Sequence, residues 1–188
     1  MDAPFNLEET DRLLSTTRAV RKRLDFSREV PRELLLDCVR LAQQAPTGSN
    51  TQLWRWVIVT DADKRAAISD VYARGSEYLE EAKKMVAEGD DQTVRVYDSA
   101  DYLVDHMREV PALVIPCVIG RPSAGAAQVE VASIYGSILP SVWSFQLALR
   151  SRGLGSCWTT LHLGWEAEVA EILGIPEHVM QVALLPVA

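Results

Sequence analysis

Three stretches of this chain gather residue types that can do chemistry. "RAVRKR", residues 18–23, places Arg18, Arg21, Lys22 and Arg23 together in an otherwise acidic protein. Guanidinium groups on irregular backbone suit a phosphate, which they hold through charge-assisted hydrogen bonds. "APTGSNTQLW", residues 45–54, offers N–H groups and hydroxyls from Thr47, Gly48 and Ser49, and side-chain amides from Asn50 and Gln52. With almost no bulk above it, such a loop lets a planar, hydrogen-bonding ring lie close to backbone. "RGLGSCWTTLHLG", residues 152–164, joins two turn-forming glycines to Thr159 and Thr160, which can present amides and hydroxyls outward.

Each stretch also has a plainer reading: a solvated charge run, a helix cap with its turn, a helix-to-strand connection. Taken singly, none decides between the two. The glycines at 153 and 155 do not make a dinucleotide fingerprint, because their spacing is wrong and they follow a helix. Cys157 and His162 do not make a convincing nucleophile and base, since nothing nearby in sequence lowers the thiol pKa. The three cysteines and three histidines are scattered, without metal-ligand spacing. Unpaired thiols fit burial in a reducing compartment, so the expected location is the cytoplasm.

The elements that position these stretches follow from pattern. Asn6 is placed to cap a short helix ending near Thr16. Pro31 opens a second helix whose apolar face is Leu34, Leu35, Cys38, Leu41 and Ala42. "RWVIVTD" is a β-branched strand, with Trp54 and Trp56 on one face for core packing. Asp61 caps a helix expected to run, with a break at Gly75, to the region of Glu88 and Gly89; residues 92–110 read as another. "PALVIPCVIG" is a fully buried strand. Residues 129–152 form a long apolar helix, kinked near Pro140 and stopped by Gly153. "LGSCWTTL" is a third strand or extended segment, "EAEVAEILGIP" a short helix, and "HVMQVALLPV" the last strand.

These elements predict an α+β fold, a small mixed β-sheet wrapped by helices, with residues 1–188 as a single domain. The long helix is apolar around most of its circumference, so it belongs in a core or at a subunit interface. A formal charge of −7 over 188 residues argues against a nucleic-acid partner. Glu130, Pro140 and Gln146 interrupt the most apolar stretch, so no membrane span is expected. The start "MDAPFNLEETD" has no apolar leader core.

In their order and separation the three stretches resemble the nitroreductase-like FMN-dependent flavoproteins. "TRAVR" at 17–21 stands where that family typically has Arg-Arg-Ser-Val-Arg. "APTGSNTQLW" at 45–54 is similar to Ala-Pro-Ser-x-x-Asn-x-Gln-Pro-Trp, and "GLGSCW" at 153–158 to its Gly-Leu-Gly and following residues. The resemblance covers residues 10–188. It implies an intertwined homodimer with FMN sites at the interface and the long helix at its centre. By the same resemblance Arg18, Ala19 and Arg21 hold the phosphate and ribityl chain. Pro46, Thr47, Gly48 and Asn50 come from the other subunit to line the isoalloxazine. Trp158, Thr159 and Thr160 lie along the ring with backbone N–H groups directed at it.

The implied activity is hydride transfer from NADH or NADPH to the flavin and then to an electron-poor acceptor such as a nitroaromatic or quinone. No protein acid or base is required, because the flavin carries the redox chemistry. Other readings on the same fold are dehalogenation, desaturation or flavin fragmentation, with residues 70–105 as a lid, and a non-catalytic dimer that sequesters flavin. Three departures stand out: Thr17 and Ala19 in the first motif, Leu53 for the proline before Trp54, and an end at "LLPVA" where family members continue into a C-terminal tail. That tail is expected to be short or missing here.

Overall fold

The computed structural model describes residues 4–86 and 90–188. Helix α1, Leu7–Thr16, starts where Asn6 accepts a hydrogen bond from the Glu9 N–H (3.1 Å). Helix α2, Arg32–Ala42, follows Pro31 and buries Leu35, Cys38, Val39 and Ala42. Leu41, expected on that face, is exposed, and Val39 takes its place inside. Strand β1 is Trp54–Val59. Helices α3, Ala62–Arg74, and α4, Ser76–Lys83, meet at Gly75, where the sequence predicts the break. The Asp61 carboxylate caps α3 by accepting from the Lys64 N–H (2.9 Å). Helix α4 ends at Lys83 and residues 84 and 85 turn, short of the expected run to Glu88 and Gly89, which lie outside the described residues.

Helix α5, Asp91–His106, leads to β2, Ala112–Ile119, and then to the long α6, Gln128–Ser151, which stays helical through Pro140. Helix α7, Glu166–Leu173, ends at Gly174 in the left-handed region (φ 68°). Strands β3, Val179–Gln181, and β4, Leu185–Val187, close the chain.

The central strand is β2. It pairs with β1 on one side, Trp54 opposite Val118 and Val59 opposite Leu113, and with β3 and β4 on the other. All three ladders are antiparallel, a correction to the mixed sheet expected from sequence. The single last strand expected over 178–187 is two strands, and Pro116 supplies the reason. Its carbonyl accepts from Val182 N–H (2.9 Å), so its nitrogen faces the same edge. Having no N–H, that position cannot continue the ladder, and pairing is interrupted there.

Alternation along β2 divides the core into two layers. Ala112, Val114 and Val118 pack with α2 and α6, and Leu113, Ile115 and Cys117 pack with α3, α5 and α7. Both faces are covered, which explains the unbroken apolar run. Trp54 and Trp56 lie in the first layer, as their alternation predicts, and Trp56 meets Phe145 of α6 at 5.0 Å between ring centroids. The long helix therefore has one side in the core, at Ile138, Val142, Phe145 and Leu149. Its opposite side leaves Val129, Leu139 and Trp143 exposed at 76%, 39% and 46%.

Candidate functional site

The chain leaves α6 through Gly153, whose φ of 80° suits a residue without Cβ. Two residues on, Gly155 presses against the first motif. A Cβ there would lie 3.0 Å from Leu24 Cδ2 and 3.1 Å from Val20 Cγ1. The Val20 N–H donates to the Ser156 carbonyl at 2.9 Å. Residues 18–21 and 155–160, far apart in sequence, thus share one surface.

Hydrogen bonding decides which groups of the 155–160 segment face outward. Gly155 and Ala188 exchange two backbone bonds (2.7 and 3.2 Å), and Ser156 bridges Val187. Thr159 donates its N–H to the Leu184 carbonyl (3.1 Å) and accepts from the Leu184 N–H (2.9 Å); its hydroxyl donates to the same carbonyl (2.8 Å). Thr159 is buried and turned inward, against the expectation that it presents its amide and hydroxyl outward. Backbone amides alternate along an extended chain, so the N–H groups of Trp158 and Thr160 point to the opposite edge. Among the described residues neither donates to a backbone carbonyl. Two N–H donors without a backbone acceptor among the described residues therefore flank Thr159. Thr160 is exposed, and Trp158 is half-buried against the α2–α6 layer.

The four cations of the first motif differ in what holds them. Arg18 is exposed, and its guanidinium donates to the carbonyl of its own neighbour, Thr17 (2.8 Å). It has no carboxylate partner among the described residues. Ala19 beside it is exposed. Arg21 is half-buried, donates to Ser99 Oγ on α5 (3.3 Å) and lies beside Cys157 and Tyr72. Lys22 pairs with Asp98 of α5 at 2.5 Å, and Arg23 is exposed. Arg18 lies two residues before Val20, whose bond to the Ser156 carbonyl fixes this segment beside the third motif.

The loop at 45–54 sits elsewhere, on the first half of α6. Gly48 N–H donates to Ser137 Oγ (2.9 Å), Trp54 Nε1–H donates to the Ser137 carbonyl (2.8 Å), and a Cβ on Gly48 would fall 3.1 Å from Ser133 Oγ. The third motif touches α6 at Gln146, which donates to Ser156 Oγ (3.2 Å). Ser137 and Gln146 are about 13 Å apart along a helix rising 1.5 Å per residue. Within one chain the structure joins the first motif to the third and holds the second apart from them. Pro46, Gly48 and Asn50 are exposed, with Thr47 half-buried.

Ser49, Asn50 and Gln52 all have positive φ, at 51°, 54° and 50°. For side chains with a Cβ this region costs on the order of 1–3 kcal/mol each, least for asparagine. Internal bonds hold the loop there: Gln52 N–H to Thr47 Oγ1 (3.2 Å) and Gln52 Nε2 to Asn50 Oδ1 (2.8 Å). Strain of this kind concentrates where a backbone is shaped for a ligand or partner.

Cys157 is buried, which raises its thiol to about 12, with Arg21 partly offsetting the effect. Burial lowers His162 to about 4, and neither ring nitrogen has a partner among the described residues. A neutral thiol and an unpartnered neutral imidazole cannot work as a nucleophile and its base. No cluster of metal-ligating side chains occurs among the described residues. Tyr72 and Ser99, which back the site, carry no signal in the sequence. Each is one polar position in a helix, brought here only by the packing of α3 and α5.

This fold, with a small antiparallel sheet, a long half-exposed helix and paired motifs at its end, matches known proteins. A family model described as "Nitroreductase family" matches residues 14–188, and the chain belongs to that family. It is 27% identical to a 4-nitrobenzoate reductase of Nocardioides sp. (strain LMS-CY), over 92% of this chain and 76% of that one. It is 29% identical to iodotyrosine deiodinase 1 of Mus musculus, over 96% of this chain and 61% of the deiodinase, so it spans less than two thirds of that protein. Among solved structures, oxidized iodotyrosine deiodinase bound to FMN and 3-iodo-L-tyrosine superposes with a TM-score of 0.71 at 25% identity, covering 94% of this chain and 86% of the other. The FMN-dependent nitroreductase NfnB from Mycobacterium smegmatis, in complex with NADPH, shares the fold with a TM-score of 0.69 at 19% identity, covering 97% and 88%.

Proposed function

We propose that this chain is an FMN-dependent oxidoreductase that takes a hydride from NADH or NADPH and delivers it to an electron-poor small molecule, such as a nitroaromatic or a quinone. The observation that carries the reading is that the Trp158 and Thr160 N–H groups meet no backbone carbonyl among the described residues, on a segment that the Val20–Ser156 bond places beside the arginines. A flavin needs such a set: donors for the polar edge of a flat ring, and cations for a phosphate at the end of its side chain. The residues present fit that need. When bound, FMN would supply the ring that accepts and passes on the hydride.

In this reading Arg18 and Arg21 hold the phosphate, and Ala19 leaves room for the ribityl chain. Trp158 and Thr160 orient the ring through their N–H groups, and Thr159 braces them from behind. Pro46, Thr47, Gly48 and Asn50 line the ring from the second subunit of a homodimer. The distance along α6 between the loop and the other two motifs supports that division. The exposed side of α6 at Val129, Leu139 and Trp143 supports the dimer, because apolar groups of this size on one helix are suited to a partner surface. The buried free cysteines support a reducing, cytoplasmic setting. No helix among the described residues is long and apolar enough to cross a membrane.

The same fold and site also accommodate reductive dehalogenation, which the likeness to iodotyrosine deiodinase favours. The two readings share the cofactor and differ in acceptor. Titrating the flavin-free protein with FMN and with riboflavin, followed by flavin fluorescence, tests the common part. FMN should bind far more tightly than riboflavin, because only FMN engages the arginines. Equal or absent binding of both would remove the proposal.

A further inference from the structure

Helix α1 and the last turn of α6 wall a cleft of about 650 Å³ that the flavin reading does not use; its lining includes Glu9, Arg12, Leu13, Thr16, Arg150 and Ser151. Arg18 stands two residues beyond Thr16, and Gly153 two residues beyond Ser151. Two residues of chain reach at most about 7 Å. The cleft therefore borders both segments that the Val20–Ser156 bond joins. Arg12 and Arg150 are exposed, and neither has a carboxylate partner among the described residues. Arg150, in a final turn, complements the helix dipole. Arg12, in the middle of α1, has no such reason to be there. Unpaired guanidiniums on the two walls of one cleft repel each other unless an anion lies between them.

The rest of the lining narrows the ligand. The hydroxyl proton of Thr16 is committed to the Arg12 carbonyl (2.5 Å), so its oxygen, like the Glu9 carboxylate, can only accept. Half-buried Leu13 adds an apolar surface. A fitting ligand brings an anion for the arginines, hydroxyl or amine donors for the acceptors, and a flat apolar part. The volume suits a molecule of that size rather than a lone ion. A nucleoside phosphate meets every one of these conditions. We propose that this cleft is a subsite for the phosphorylated adenosine half of the nicotinamide hydride donor, with Arg12 and Arg150 holding its phosphate. The inference rests on the flavin reading, which requires such a donor, and deepens it by placing the donor's far end.

The test is calorimetric titration of the full chain, as purified, with adenosine 2′,5′-bisphosphate and with adenosine. Arg12→Gln, Arg150→Gln and the double variant are treated alike, and urea midpoints verify that each is folded. The parent should bind the bisphosphate and not adenosine. Each single change should weaken that binding about tenfold, the loss of one charge-assisted contact. In steady-state kinetics the double variant should raise KM for the nucleotide without lowering kcat. A rise for NADPH alone assigns the arginines to its extra phosphate; equal rises for NADPH and NADH assign them to the shared pyrophosphate, and either result supports the subsite. A parent that ignores the bisphosphate, undiminished binding in the folded double variant, or unchanged KM for both nucleotides would overturn the inference alone. A parent that binds the bisphosphate but takes up no flavin would overturn the flavin reading, and the hydride-donor role of the cleft with it.

Discussion

Arg18 and Arg21 belong to one motif, yet their surroundings give them different tasks. Arg18 is exposed and tied only to its neighbour's carbonyl, while Arg21 is wedged against Cys157 and Tyr72 with Ser99 as a partner. Arg18→Ala should therefore leave the urea midpoint unchanged and weaken FMN by roughly 10- to 150-fold, the worth of one charge-assisted contact at about 1.5–3 kcal/mol. Riboflavin affinity should not change; an equal loss for both flavins would show that Arg18 does not meet the phosphate. Arg21→Ala should lower stability as well as affinity, because it removes a packed side chain. His162 gives a prediction about pH. Its folded value of about 4 lies below the ordinary 6.5, so the unfolded chain takes up a proton that the native imidazole refuses. The contribution is complete above pH 6.5 and is lost as pH falls from there toward 4, amounting to about 3 kcal/mol. Urea unfolding at a series of pH values should show a shallower slope for His162→Gln across that window. Identical slopes would contradict the account of a buried neutral imidazole.

At the scale of elements, the joint between α3 and α4 is held as tightly as any contact in the site. A Cβ on Gly75 would fall 2.6 Å from Leu161 Cβ and 3.2 Å from the Tyr72 carbonyl. Gly75→Ala should therefore destabilise by about 1–3 kcal/mol through overpacking, even though alanine is the better helix former. In a Leu161→Gly background, which lacks that Cβ, Gly75→Ala should cost less, which urea midpoints would show; an unchanged cost would place the strain elsewhere. Much at this scale was legible in the sequence. Caps at Asn6 and Asp61, the break at Gly75, and the strand carrying Trp54 and Trp56 follow from local rules, and the structure has them where the pattern sets them. What could not be read depends on partners distant in sequence. The split between β3 and β4 comes from Pro116 in another strand, and the inward turn of Thr159 comes from Leu184. Likewise Val39 is buried and Leu41 exposed because of where α6 crosses α2, which periodicity alone does not determine. The three motifs were legible as a set through their order, but the separation of the loop from the other two appears only in three dimensions.

At the scale of the whole molecule, α6 makes one demand and the site makes another. The helix needs a cover for Val129, Leu139 and Trp143, and the arginine-and-amide surface needs the loop that its own chain holds elsewhere. The proposed homodimer would meet both demands through one interface, expected in the obligate range of ~2,000–5,000 Å². Light scattering at micromolar concentration should give twice the chain mass, and Trp143→Arg should shift it toward monomer with loss of bound flavin. A dimer that survives this change with its flavin intact would put the interface on another face. The central claim is that the assembled site carries electrons from a nicotinamide to an acceptor. Its most direct measurement is anaerobic spectroscopy of the purified protein in two steps. The account predicts a yellow protein whose visible flavin absorbance is bleached by NADH or NADPH. A nitroaromatic or quinone added afterwards should restore the colour. Protein that stays yellow with both nicotinamides, or that takes up no FMN at all, would contradict it.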